Sequence, residues 1–264
     1  MFSDIELELD VYKAFNKGCI TESEKDECIM MIESAKDNEL QFNLNKWKRG
    51  TSTNVLFITG LSGSGKSTLA SKMAKENDAI HVEVDLLEHN SILFDDNIID
   101  YDGKKVIHDK GNIIMKEYMQ KTYGGAKKFQ VSDTASFTKE VIKFIVYMLK
   151  YAKEHKDELF IVEGIQVADS TTWNLSNTKS TNEEIRKTLE MSMKLMDLVS
   201  QYPVIIKNTS VLQSIYRAAK REGDVKEYFK SFNSIQSIKE YIQFYMEMRK
   251  NKNQFIKNMK KSNS

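Results

Sequence analysis

An α/β fold, with a mainly parallel sheet held in a three-layer sandwich, is predicted by two features of the sequence. Short apolar runs that fit buried strands recur from residue 54 onward, and the segments between several of them have helical periodicity. Strands that alternate with helices are typical of a parallel sheet with crossover helices. At 264 residues the chain is long enough for one such domain with an appendage.

Each predicted element follows from an apolar run or an apolar helix face. The predicted strands are 54–59, 79–85, 158–164 and 204–207, the last preceded by the only proline, Pro203. The predicted helices are 67–77, 112–121, 137–155, 182–200 and 211–222. Residues 86–136 are less regular, and no fifth strand follows the helix at 211–222. A sheet that is shortened or closed differently is therefore expected.

The two ends of the chain are predicted to be helical and to lie outside the α/β domain at 54–222. Residues 1–49 are interpreted as a helical hairpin, because Gly18 breaks an apolar run and the segment Thr21-Glu22-Ser23-Glu24 has the spacing of a capping box. This extension either packs on the main domain or docks a protein partner. Residues 223–264 are predicted as helices packed on the main domain, since their aromatic residues have helical spacing.

The segment Gly60-Leu61-Ser62-Gly63-Ser64-Gly65-Lys66-Ser67 matches the Walker A pattern G-x-x-x-x-G-K-[ST] at every fixed position. It follows a predicted strand and opens a predicted helix, which is the context that such a phosphate-binding loop (P-loop) requires. Glycines let backbone N–H groups surround a phosphate chain, and the helix N-terminus adds partial positive charge. The residues assigned to nucleotide binding are Gly60, Ser62, Gly63, Ser64, Gly65, Lys66, Ser67 and Thr68. The motif predicts a P-loop NTPase fold and a nucleoside triphosphate as ligand.

Phosphoryl transfer requires neutralised donor charge and an acceptor hydroxyl held in line. Lys66 is expected to reach the terminal phosphates, and the Ser67 hydroxyl to hold Mg²⁺. Two acids end predicted strands, where ligands of parallel sheets gather. Asp85 is interpreted as the residue that orients or deprotonates the acceptor hydroxyl, with a helix or turn cap as the alternative. Glu163 is expected to bind metal-bound water or polarise the acceptor, because an unpaired buried carboxylate favours a cation partner.

Two arginines on a late helix complete the candidate catalytic set. Arg217 and Arg221 are four residues apart and so share one helix face, from which guanidinium groups can clamp phosphate oxygens. Surface salt bridging is the alternative. The four histidines have no triad or metal spacing, and each is expected to be a surface histidine or one satisfied by other contacts; they are His81, His89, His108 and His155.

Composition gives no global electrostatic preference for a partner. The formal net charge is +1, although every charged residue after Glu247 is basic, which leaves a nucleic-acid partner open. The two cysteines, Cys19 and Cys28, form neither a metal set nor a disulfide framework. No membrane-spanning stretch or signal peptide is found. A cytoplasmic protein without a membrane partner is expected.

The sequence resembles the P-loop kinases of small molecules and nucleosides over residues 54–222. The P-loop segment 57–68 is similar to the opening of adenylylsulfate, gluconate and uridine-kinase-like enzymes. Val162-Glu163-Gly164-Ile165 is similar to the Glu-Gly motif of the uridine and pantothenate kinase group. Residues 205–208 followed by Arg217 and Arg221 resemble the strand and arginine-bearing lid helix of that superfamily. The resemblance implies an ATP- and Mg²⁺-dependent kinase.

The sequence is compatible with several acceptors and with one rival function. Asp85 is followed by Leu-Leu-Glu, which departs from the patterns of adenylylsulfate and deoxynucleoside kinases. Sugar nucleotides and modified bases in DNA, the substrates of toxin-type and viral relatives, stay possible beside other hydroxyl-bearing small molecules, nucleosides and nucleotides. A regulatory GTPase is disfavoured because the chain lacks an Asn-Lys-x-Asp motif. The alternative is an ATP-hydrolysing switch that acts on a protein through the N-terminal hairpin.

Overall fold

The computed structural model describes residues 38–60, 64–95, 109–128, 134–164 and 197–208, together with some isolated residues between 13 and 26, between 190 and 195, and between 256 and 261. In these ranges the chain has an α/β fold around one five-stranded sheet. The strands are β1 (Asn38–Phe42), β2 (Val55–Gly60), β3 (Ala79–Glu83), β4 (Leu159–Glu163) and β5 (Val204–Asn208). The helices are α1 (Lys66–Asn77), α2 (Lys110–Tyr123) and α3 (Thr134–Glu154), with 3-10 helices at Leu44–Lys46, Val84–Leu87 and Asn90–Phe94.

The sheet is mainly parallel, as the alternation of strands and helices predicted. Its strand order is β1-β5-β2-β4-β3, and β5, β2, β4 and β3 are all parallel to one another. The two central strands β2 and β4 are almost continuously buried, because helices cover both of their faces. This is why their sequences are unbroken apolar runs and do not alternate.

Helices pack on both faces of the sheet. On one face, residues of α2 and α3 form the larger apolar cluster with Phe57, Phe160 and Ile206, and Leu195 and Val199 join it. On the opposite face, α1 packs through Ala70 against a smaller cluster from β2, β4 and β5. The helix that follows the phosphate-binding motif therefore lies on the opposite side of the sheet from α2 and α3.

The fifth strand lies in the segment that was predicted to be helical. The prediction of helix throughout residues 1–49 is wrong for β1, which pairs antiparallel with β5 from Asn38↔Asn208 to Phe42↔Val204. The segment has the period of a half-buried strand: Leu40 and Phe42 pack on the larger cluster, while Glu39 is exposed and its carboxylate lies 3.2 Å from the Lys207 ammonium. The sheet is thus extended by the N-terminal part of the chain.

Most of the two predicted terminal extensions, and the predicted helix at 211–222, lie outside the described residues. Ile256, one of the few described residues near the C-terminus, packs against the larger apolar cluster.

The start of β2 is fixed by a buried asparagine. The Asn54 amide nitrogen donates to the carbonyls of Ala152 and His155 near the end of α3, and to the carbonyl of Glu158 before β4. The Asn54 carbonyl accepts from the Phe160 N–H. One side chain therefore joins α3 to the two central strands and satisfies backbone groups that the helix end leaves open.

Helices α2 and α3 are joined by a buried carboxylate. Glu140 of α3 is 3% exposed, and it accepts hydrogen bonds from the hydroxyls of Tyr118 and Tyr123 and from the Lys143 ammonium. Burial by itself would raise the pKa of Glu140, but these hydrogen bonds outweigh it and lower the pKa below its ordinary value. The charged carboxylate is therefore the form that the fold stabilises.

Replacing the Glu140 carboxylate should make the free energy of unfolding less dependent on pH. We expect Glu140→Gln to lower the free energy of unfolding by roughly 1.5–3 kcal/mol at neutral pH, the contribution of hydrogen bonds to a charged group. The lowered folded pKa stabilises the protein above the unfolded pKa, and this contribution is lost as pH falls through the folded value. Urea titrations at pH 7 and near pH 4 should show the wild-type advantage shrinking on acidification. A constant advantage would contradict the role of the charge.

Candidate functional site

The predicted site residues that the structure describes meet at one end of the sheet. Because β2, β4 and β3 are parallel neighbours, their carboxyl ends lie side by side, with Ile58 of β2 and Glu83 of β3 both in register with Glu163 of β4. The 3-10 helix that follows β3 carries Asp85, and α1 begins beside the end of β2. The predicted convergence of the phosphate-binding motif, Asp85 and Glu163 is present.

The described residues of the phosphate-binding motif have the close packing and backbone conformation that explain its first and last glycines. A Cβ at Gly60 would lie 2.6 Å from the Lys207 carbonyl oxygen, so the end of β2 passes β5 too closely for a side chain. Gly65 caps α1 in the left-handed region at φ 85°. The buried Ser64 hydroxyl has no hydrogen-bond partner among the described residues. Residues 61–63, which include the predicted ligands Ser62 and Gly63, lie outside them.

The first two residues of α1 place a cation and a hydroxyl against the strand ends. The Lys66 ammonium lies 3.4 Å from Glu163 Oε1 and 3.6 Å from Asp85 Oδ2, and its side chain is only 9% exposed. The Ser67 hydroxyl donates to Glu163 Oε1 at 3.1 Å. Thr68 follows on α1 with an exposed side chain. Three of the predicted catalytic residues are therefore in direct contact.

Glu163 is fully buried, yet it is held in its charged form. Burial would raise the pKa of Glu163, but His81, Lys66 and Ser67 together lower the pKa below its ordinary value. One oxygen, Oε1, faces Ser67 and Lys66, while Oε2 lies 3.6 Å from the Nε2 of His81. The expectation of a cation partner for this carboxylate is met within the chain by Lys66.

Two residues of β3 belong to the site although sequence analysis did not assign them to it. His81 was expected to be a surface histidine or one satisfied by other contacts; its side chain is 19% exposed, and its Nε2 lies 3.6 Å from the Glu163 carboxylate. Glu83, two residues further, lies beside Glu163; burial and the Glu163 carboxylate raise the pKa of Glu83. The signal that could have identified them is the alternation of side chains along β3. Ile80 and Val82 face the larger apolar cluster, so His81 and Glu83 lie on the opposite face of the strand.

Asp85 borders the open side of the site, and its side chain is 33% exposed. A Cβ at Gly164 would lie 2.9 Å from Asp85 Oδ1 and 3.1 Å from the Val84 Cβ, so a side chain after Glu163 would displace the Asp85 carboxylate. The Glu-Gly pair at the end of β4 therefore leaves space for the Asp85 carboxylate. Arg217 and Arg221 lie outside the described residues, and the structure does not bear on their predicted role.

The oxygen atoms beside Lys66 suit magnesium better than a metal enclosed by protein ligands. No group of three or more His, Cys, Asp or Glu residues in the described ranges could hold a metal ion. Mg²⁺ binds through one or two protein oxygens and completes its shell with phosphates and water. Ser67 and Glu163 offer such oxygens, and Glu163 Oε2 is buried with no hydrogen-bond partner among the described residues. The donor set therefore fits Mg²⁺ held together with a phosphate chain.

Comparison with known proteins found no match that indicates a function. No protein-family model matches the chain, and no curated protein matches it. In the described ranges, none of the helices combines the length and apolar character needed to cross a membrane.

Proposed function

We propose that this protein is an ATP- and Mg²⁺-dependent kinase with the three-layer architecture of P-loop NTPases, which transfers the γ-phosphate to a hydroxyl of a small molecule, nucleoside or nucleotide. One observation carries the proposal. At the start of the helix that follows the phosphate-binding motif, Lys66 contacts both Asp85 and Glu163, and Ser67 donates to Glu163. The resemblance of residues 54–222 to small-molecule kinases supports the same reading.

The donor side consists of the motif and the first turn of α1. Backbone N–H groups and the helix N-terminus attract the phosphate chain, and the Lys66 ammonium neutralises negative charge on its terminal oxygens. Ser67 and Glu163 would hold Mg²⁺, which supplies further charge neutralisation at those oxygens. Because Lys66 is largely shielded from water, its charge acts in a less screened environment than that of a surface lysine.

The acceptor side consists of Asp85 and the space next to it. An Asp85 carboxylate oxygen would accept the proton of the acceptor hydroxyl while the hydroxyl oxygen forms its bond to the γ-phosphorus. The bond between the γ-phosphorus and the bridging oxygen breaks in the same transfer, and ADP leaves. The partial exposure of Asp85 agrees with this role, because the acceptor must reach the carboxylate from solvent.

Transfer of labelled γ-phosphate distinguishes this proposal from the alternative of an ATP-driven switch. With Mg²⁺ and pooled acceptors, we expect label to appear in a hydroxyl-bearing compound and ATP hydrolysis without acceptor to be slow. Rapid hydrolysis that ignores every acceptor and responds to a protein partner would overturn the proposal. The pools should contain nucleosides, nucleotides, sugars and modified-base DNA, so that one experiment covers each acceptor class.

Asp85→Asn should separate turnover from nucleotide binding. The amide keeps the size of the side chain but cannot take the hydroxyl proton, so we expect kcat to fall about 10²-fold or more. ATP affinity, measured by calorimetry, should change little because Asp85 belongs to the acceptor side. Asp78→Asn is the control, since Asp78 is 99% exposed at the start of β3 and asparagine tolerates its left-handed backbone. Weaker ATP binding with unchanged kcat would remove Asp85 from the acceptor side.

A further inference from the structure

His81 and Glu163 face each other across neighbouring strands through one ring nitrogen and one carboxylate oxygen. The Nε2 of His81 lies 3.6 Å from Glu163 Oε2, and neither atom has a hydrogen-bond partner among the described residues. Both atoms are shielded from solvent, and the Glu163 side chain is fully buried. A buried carboxylate oxygen and a buried ring nitrogen that meet only each other stabilise one another.

The strand register explains why this histidine reaches that oxygen. His81 is in register with Ile161 and Glu83 with Glu163, so His81 is the diagonal neighbour of Glu163 on the same face of the sheet. Glu83, directly beside Glu163, presents a like charge. His81 thus places a ring nitrogen beside Glu163 on the same face of β3 as the like charge of Glu83.

We infer that His81 is a positioning residue that fixes the orientation of the Glu163 carboxylate for metal binding. The inference rests on the proposed kinase function. Oε2 faces the His81 ring nitrogen at 3.6 Å while Oε1 faces Ser67 and Lys66, so electrostatic attraction between the ring and Oε2 would restrict rotation of the carboxylate and keep Oε1 directed at Ser67 and Lys66. Partners that orient metal-binding side chains in this way typically change metal affinity by about 10–100-fold when removed. His81 therefore acts through Glu163 and not on the substrate.

Three substitutions at His81 test this role. His81→Leu removes the donor, and His81→Asn keeps polarity but is too short to reach Oε2. His81→Gln restores an N–H at a similar reach to Nε2. The matched controls are His155→Leu and His155→Gln, because His155 stacks on Tyr151 before β4, beyond the opposite end of the strands. Circular dichroism of each variant establishes that it is folded.

Metal binding is measured directly by electron paramagnetic resonance titration of Mn²⁺ in the presence of ADP, since Mn²⁺ prefers the same oxygen ligands as Mg²⁺. We expect His81→Leu and His81→Asn to weaken nucleotide-dependent Mn²⁺ binding about 10-fold or more, and His81→Gln to restore most of it. In transfer assays the Mg²⁺ requirement should rise more than kcat at saturating Mg²⁺ falls. The His155 variants should match wild type in both measurements.

The outcomes separate this inference from the proposed function. If wild type takes up Mn²⁺ with ADP and His81→Leu does so equally well, His81 is not a positioning residue. Equal losses in folded His81→Asn and His81→Gln would overturn the inference as well, and this comparison decides the matter should His81→Leu fail to fold. If wild type itself shows no nucleotide-dependent Mn²⁺ uptake, the proposed function fails together with the inference.

Discussion

Lys66→Ala should reduce γ-phosphate transfer by at least about 10²–10³-fold, equivalent to roughly 3 kcal/mol or more of transition-state stabilisation. This is the scale on which removing one preorganised charge donor acts. Binding of ATP, measured by calorimetry, should weaken less, because the backbone N–H groups of the motif and the helix N-terminus remain. An unchanged transfer rate in Lys66→Ala would contradict the assignment of Lys66.

The same substitution should also destabilise the protein in the absence of nucleotide. Lys66 is a cation shared by Asp85 and the fully buried Glu163. Removing it leaves a buried carboxylate with less compensation, which is strongly destabilising. We therefore expect a lower free energy of unfolding in urea. Lys72→Ala is the control, because Lys72 lies on the same helix with a 70% exposed side chain and should affect neither measurement.

A double variant separates the two effects of Lys66. Glu163→Gln in the Lys66→Ala background removes the uncompensated charge, so the free energy of unfolding should recover in part. Transfer should stay lost, since the variant lacks both the ammonium and one predicted Mg²⁺ ligand. Recovery of transfer in the double variant would show that Lys66→Ala acted only through stability and would remove Lys66 from catalysis.

The sequence predicted the part of the site that depends on fixed spacing and strand direction. The P-loop pattern fixes the order of Gly65, Lys66 and Ser67, and it requires a strand before and a helix after them. Parallel strands all end at one edge, so acids that end such strands must approach one another. Asp85 and Glu163 were predicted for that reason, and their meeting with Lys66 needed no knowledge of register.

The sequence did not predict contacts that depend on register between distant segments. Whether His81 faces an acid or solvent is decided by its diagonal neighbour on β4, and the spacing within β3 carries no information on that partner. Strand β1 was missed for a related reason. It is five residues long, with two apolar side chains facing the core. It is stabilised by pairing with β5, a strand far away in the sequence, as in the pair Leu40 and Ile206. Local propensity alone does not reveal such an edge strand.

The largest expected effect on stability comes from Gly111→Ala, at the start of α2. A Cβ at Gly111 would lie 1.8 Å from the backbone carbonyl oxygen of His81, a separation at which the helix and β3 must move apart. Inserting atoms into a packed site usually costs about 1–3 kcal/mol, and occasionally more. We expect about 3 kcal/mol or more here, because the obstructing atom belongs to the backbone and no flexible side chain can move away.

Gly124→Ala, at the other end of α2, is the matched control for this prediction. Gly124 caps the helix at φ 75° with no atom within 4 Å of the added Cβ, so alanine there meets only the backbone preference, worth roughly 1–2 kcal/mol. Urea denaturation of both variants should rank Gly111→Ala as the less stable. The two should also differ in transfer by the folded protein, because Gly111 contacts the residue whose side chain faces Glu163. Equal losses of unfolding free energy and of transfer activity in Gly111→Ala and Gly124→Ala would contradict this prediction. They would show that the close packing of α2 on β3 does not position His81.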